Sequence, residues 1–170
     1  MKFIASLLIL FTILVIGTQA FLHINLNQDC TGHLKRAADA NTVQMASTEL
    51  DFALNYLEER GDTIGYTSVI YQTPSEDVGY FYQNLKASKL EISKVDSTTT
   101  SFEKTNMLMK LRETLLDEGK EGSKVTKPLG LATFPNNFLW GLMSILGVIS
   151  LVGGVLLWQL SQNSRYHRKY

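Results

Sequence analysis

Between Phe138 and Leu160 the chain runs for 23 residues without a charged side chain. At ~1.5 Å per residue a helix of that length covers ~34 Å, enough for the ~30 Å hydrocarbon core of a bilayer. A stretch this apolar on all sides needs lipid around it or a large soluble core. A chain of 170 residues is too small to supply the core. Trp140 and Trp158 stand near the two ends of the run, where indoles settle at membrane interfaces. The pattern predicts a transmembrane helix over 138–160 with these two anchors, followed by a short basic tail, 161–170.

The opening "MKFIASLLILFTILVIGTQAF" is a second apolar run, and two readings of it stand. Thr18 and Ala20 are small enough for the recognition positions of a signal peptidase, with Gly17 breaking the helix before them, so residues 1–20 read as a cleaved signal peptide. Extended to Leu22, the same run is long enough to cross a bilayer as an N-terminal anchor. Either way residues 21–137 are sent out of the cytoplasm. Lys2, Arg165, Arg168 and Lys169 flank the apolar runs as cytoplasmic flanks do. The expected location is therefore the plasma (inner) membrane, single-pass or two-pass, with the C-terminus cytoplasmic.

The overall charge of zero hides a division. All 16 acidic residues fall between Asp29 and Glu121, and the middle region holds 12 of the 16 Lys/Arg, a net charge of −4. Nucleic acid requires a clustered basic surface, so it is excluded as a partner. Cys30 is the single cysteine, which rules out a disulfide scaffold within one chain. No Asn-x-Ser/Thr sequon occurs, which favours a bacterial envelope protein over a glycosylated ectodomain.

Within the middle, apolar residues recur at helical spacing. Val43, Ala46, Leu50, Ala53 and Leu57 form one seam, with Leu34, Ala38, Met45, Phe52 and Tyr56 beside it, predicting a helix over 31–59. "TPSE" at Thr73–Glu76 reads as a capped start with Pro74 in the first turn. From it a seam through Val78, Phe81, Leu85, Ser88, Ile92, Val95, Thr99, Phe102, Asn106 and Met109 predicts one long helix over 74–117, weakest at "STTTS" (Ser97–Ser101). Residues 61–73 are β-branched and aromatic and read as an extended tip between the helices. Residues 119–137 carry Gly, Lys, Ser and Pro without period and read as a flexible linker. The expected fold is all-α: a membrane-anchored extracytoplasmic antiparallel helical hairpin over 21–118, plus the membrane helices. The order of segments resembles that of the sensor region of bacterial chemoreceptors, but no motif is shared, so no site residue carries over.

No catalytic pattern emerges. Cys30 and His33 with His23 nearby are too few for a zinc site, which takes three or four ligands, and nothing orients a Cys/His nucleophile pair. No metal, cofactor or enzymatic activity is expected. Cys30 reads instead as an intersubunit thiol. Tyr66, Ile70 and Tyr71 read as a partner-binding patch at the tip. Gly147, Ser150 and Gly154 place small residues on one face of the membrane helix, where helices approach closely. With the thin core of a two-helix hairpin, that stripe predicts a homodimer. The expected function is a scaffold or accessory subunit presenting its hairpin for protein–protein association, with another envelope protein as a further partner besides the lipid bilayer. The rival expectation is a ligand sensor or hydrolase with a site near the tyrosine-rich tip.

Overall fold

The C-terminal apolar run forms helix α6, Asn137–Tyr166, and the N-terminal run forms α1, Lys2–Leu26. The computed structural model describes every residue except Tyr71, Ser97, Lys120, Glu121 and 167–170, with 163–166 described by backbone alone. Two helical stretches, Lys2–Ala38 and Asn137–Gln162, are long and apolar enough to cross a membrane. α1 does not break at Gly17. One glycine costs a helix only about 1 kcal/mol, too little to interrupt a long apolar helix.

The chain divides into two compact units, Met1–Leu22 with Asn136–Tyr170, and His23–Pro135. In the first, α1 and α6 pack antiparallel. Ala5 lies at Gly154, Leu8 at Ser150, Thr12 at Gly147 and Gln19 at Ser144, so positions fall along α6 as they rise along α1.

In the second unit neither expected long helix exists in one piece. The stretch 31–59 is a π-helical turn, Asn27–Thr31, then α2, Gly32–Ala38, and, after a reversal, α3, Val43–Arg60. The stretch 74–117 is a short 3-10 turn, Pro74–Glu76, then α4, Val78–Ser93, and α5, Ser101–Leu115. A two-stranded antiparallel ribbon follows, β1, Leu116–Gly119, and β2, Gly122–Val125, with Leu116 opposite Val125. The fold is thus mostly helical rather than all-α.

Side chains that compete with the helical backbone cause both breaks. At Asp39–Thr42 the chain leaves the helix, and extended Thr42 caps α3 by accepting from the Met45 N–H at 3.2 Å. Past α4, the Asp96 carboxylate accepts from the N–H groups of Thr98 and Thr99 at 2.8 and 3.1 Å. Thr100 and Glu103 then start α5 with a full capping box. "TPSE" is not that box. The Glu76 carboxylate accepts from the Thr73 hydroxyl, Thr73 makes no side-chain cap bond, and Asp77 caps α4 by accepting from the Tyr80 N–H at 2.9 Å.

Each break reverses the chain, so four helical segments alternate in direction. α2 packs on α3 and α5, and α3 on α4. The Tyr82 hydroxyl donates to Glu58 at 2.6 Å and Lys89 pairs with Asp51, which sets α4 antiparallel to α3, and Lys110 of α5 pairs with Glu91 at 2.7 Å. The core contains Leu26, Leu34, Leu50, Leu57, Val78, Leu85 and Leu115. The whole α3 seam is buried, as are Val78, Phe81, Leu85 and Ile92 of α4. Beyond the break the phase is lost. Phe102 and Met109 are exposed, and Leu111 and Leu115 carry the buried face of α5.

The π turn explains how Leu26, Cys30 and Leu34, four apart, all reach the core. On an ideal α-helix each step of four drifts by about 40°. One wider turn takes up that drift. Its closing residue has no side chain for a reason: a Cβ on Gly32 would stand 2.7 Å from the Asn27 carbonyl oxygen. The expected linker 119–137 is also structured in part. It supplies β2 and a 3-10 turn, Leu131–Thr133, and buries Leu131, Ala132 and Phe134 in the core.

Candidate functional site

Among the described residues, three places combine polar contacts or uncovered apolar surface in a way that bears on function. The first is the face between α1 and α6. Gly147, Ser150 and Gly154, expected to receive a second copy, receive α1 of the same chain. A Cβ on Gly154 would meet Ile9 Cγ1 at 3.0 Å, the Ala5 carbonyl oxygen at 3.2 Å and Leu8 Cβ at 3.4 Å. The Thr12 hydroxyl donates to the Gly147 carbonyl at 2.9 Å, and the Ser150 hydroxyl to the Leu8 carbonyl at 3.0 Å. The Gln19 amide donates to Ser144 Oγ at 2.7 Å. Of the two tryptophans expected to be interface anchors, Trp158 lies beneath Lys2 Nζ, 5.5 Å from the ring centroid, and the Trp140 carbonyl accepts from Ser144 and Gln19. Thr12 and Gln19 escaped the sequence reading, although Ala5, Thr12 and Gln19 repeat every seven residues and so mark one helix face.

The second place is the segment after α3. Gly61 ends that helix with a φ of 73°, in the left-handed region glycine tolerates. Asp62 is fully buried and accepts from Arg60 Nε at 2.8 Å, while its Oδ1 has no hydrogen-bond partner. Burial pushes the Asp62 carboxyl above its usual range, and Arg60 pulls it part of the way back. Arg60 also donates to the Phe134 carbonyl at 2.8 Å and lies over the Tyr56 ring. The Phe134 ring comes within 3.3 Å of where a Gly65 Cβ would be.

Above this base Ile64, Tyr66, Val69 and Ile70 are exposed, and Tyr66 pairs with Asp77 in an isolated bridge. Of the three residues expected in a partner-binding patch, Tyr66 and Ile70 are exposed and Tyr71 lies outside the described residues. The segment is not a far tip, however. It sits on residues 132–134, at the end where the unit's own chain leaves it. The reversal at Asp39–Thr42, which the seam concealed, turns the far end of the expected hairpin into its near end.

The third place is an open groove of about 440 Å³ between the α2 side, with Asp29 and His33, and α3, with Phe52, Asn55, Tyr56, Glu59 and Arg60. The His33 ring tilts against Phe52 with centroids 4.9 Å apart. His33 Nδ1 and Glu49 Oε2 are 2.6 Å apart, and Arg36 pairs with the other Glu49 oxygen at 2.6 Å. Glu49 is buried, so its two partners fix the wall of the groove. Met45 and Phe52, half out of the same face of α3, were expected in its apolar stripe and remain uncovered.

Cys30 does not face the groove as a reactive group. It is 1% exposed, and burial pushes its thiol up to about 12. Within one chain this buried thiol is not presented at the surface, where an intersubunit thiol was expected. Among the described residues no three His, Cys, Asp or Glu side chains gather as a metal site. No protein-family model matches the chain, and neither a curated protein nor a solved structure is significantly similar to it.

Proposed function

We propose that this is a two-span membrane protein whose helical unit, His23–Pro135, lies outside the cytoplasm of a bacterial cell and binds another protein as a scaffold or accessory subunit. Retention of α1 as a span is supported by its polar contacts with α6. Thr12, Ser150 and Gln19 find partners across the two helices, and such bonds hold spans together in lipid. A discarded leader has no need of them. An antiparallel pair returns both ends to one side, and Lys2 with Arg165, Arg168 and Lys169 favours the cytoplasm for that side.

The observation that carries protein association is the uncovered α3 face. Phe52 is 51% exposed beside an open groove that also offers Tyr56, Glu59 and Arg60. An aromatic anchor beside charges of both signs is what protein interfaces select.

A photo-crosslinking residue in place of Phe52, in native membranes, tests the proposal. The expected product is a protein adduct. A different protein makes the chain an accessory subunit, and a second copy makes it a homodimer through the groove rather than through the α6 stripe. Adducts with small molecules alone would overturn association in favour of ligand sensing.

A further inference from the structure

The segment between α3 and α4 is apolar and exposed, and the path of the chain says what covers it. From Thr63 to Ile70 no residue carries a charge. Ile64 is 75% exposed, Val69 57% and Ile70 84%, with Tyr66 partly exposed beside them. The base of this loop is fixed on the last residues before α6. The Phe134 ring packs at Gly65, and Arg60, one residue before Gly61, holds the Phe134 carbonyl at 2.8 Å. Asn137, the first residue of α6, is three positions beyond Phe134, and three residues reach about 11 Å at most. Whatever orientation the helical unit takes, Phe134, on whose ring the base of the loop packs, stays that close to the head of α6. The headgroup layer flanking the hydrocarbon is itself about 5–8 Å thick.

We infer that the loop Thr63–Ile70 is a membrane wedge: Ile64, Val69 and Ile70 enter the headgroup–acyl boundary of the leaflet that α6 enters, with Tyr66 at the interface. The short tether selects lipid over a soluble partner, because it holds the loop where lipid is always present. The composition agrees. An uncharged segment bears no cost of desolvating a charge when it leaves water for the interface, and tyrosine, with an apolar ring and a polar hydroxyl, settles at that depth. The inference rests on the reading of α6 as a span and is independent of the groove.

The test uses the full chain in phosphatidylcholine vesicles, with Ile70→Cys carrying an environment-sensitive fluorophore. Cys30, buried and protonated, does not compete for the label. The expected result is a blue-shifted emission and loss of most of it with lipids bearing a nitroxide on the upper acyl chain. The same label at Met109→Cys, on the exposed face of α5, shows neither change. Val69→Cys repeats the measurement, so that poor folding of one variant does not decide it. Water-like emission at both loop positions overturns the inference, and so does a blue shift without quenching by lipid, which would mean a protein contact. Quenching of the native Trp140 and Trp158 by brominated acyl chains reports the span itself. If the tryptophans are quenched and the loop is not, only the wedge fails. If the tryptophans are not quenched, the span reading fails with it.

Discussion

Arg60 holds together parts of the helical unit that lie far apart in the chain. Its guanidinium pairs with Asp62, accepts the Tyr56 ring beneath it and binds the carbonyls of Ala132 and Phe134. Arg60→Met would leave a carboxylate buried without its partner, an error that costs about 3–5 kcal/mol. Chemical unfolding of the full chain in detergent measures it. The pH dependence has a definite sign. Burial raises the folded Asp62 carboxyl above 3.8, so its share of stability is full below that value and is lost as pH rises through the folded value. Without Arg60 to pull it back, the carboxyl rises further. The variant's deficit should therefore be largest near neutral pH and shrink on acidification. A deficit that does not change with pH would count against a buried charge as its cause. Nothing in the sequence marks Asp62 as buried, and the carbonyls that share its Arg60 partner arrive about seventy residues later.

Individual helices were legible where one apolar seam ran unbroken. The seam Val43–Leu57 and the first half of the seam from Val78 both face the core as read. The second half did not, since heptad spacing continues on paper through residues that local hydrogen bonds remove from the helix. Asp96 and Thr100 are the residues responsible, and their side-chain bonds are short-range and visible in sequence as an acid and a Thr-x-x-Glu box. Thr100→Ala should destabilise α5 by about 1 kcal/mol, read as a lower unfolding midpoint with an unchanged denaturant slope. No loss would mean that the ribbon after α5, rather than the cap, fixes that helix. Cutting the long helices gives one chain four helical segments, the number that two copies of a hairpin were expected to supply. The π turn was not legible at all, because Asn27–Thr31 reads as an ordinary polar turn until Leu26, Cys30 and Leu34 are seen on one side.

At the scale of the whole chain, the membrane pair α1–α6 is the feature on which the topology turns. Its apolar runs were plain in the sequence, whereas their mutual fit depended on Thr12 and Gln19 finding carbonyl and hydroxyl partners more than a hundred residues away. A Cβ on Gly154 stands 3.4 Å from Leu8 Cβ, at the short edge of the ~3.5–4.5 Å a disulfide accepts. Leu8→Cys with Gly154→Cys should therefore oxidise to a bond within one chain. Trypsin acting at Lys94, exposed at the end of α4, provides the readout. The cut halves should run as one band without reductant and as two with it. A disulfide-linked pair of chains would instead give the stripe to a second copy. On the two-span proposal, the same cut made in the unmodified protein has a biological meaning. A receptor tethered once can be shed by one proteolytic event, and its outer part diffuses away as a soluble messenger. A domain moored at both ends is not released by one nick, since each half keeps its own hold on the cell, and only a second cleavage sets any of it free.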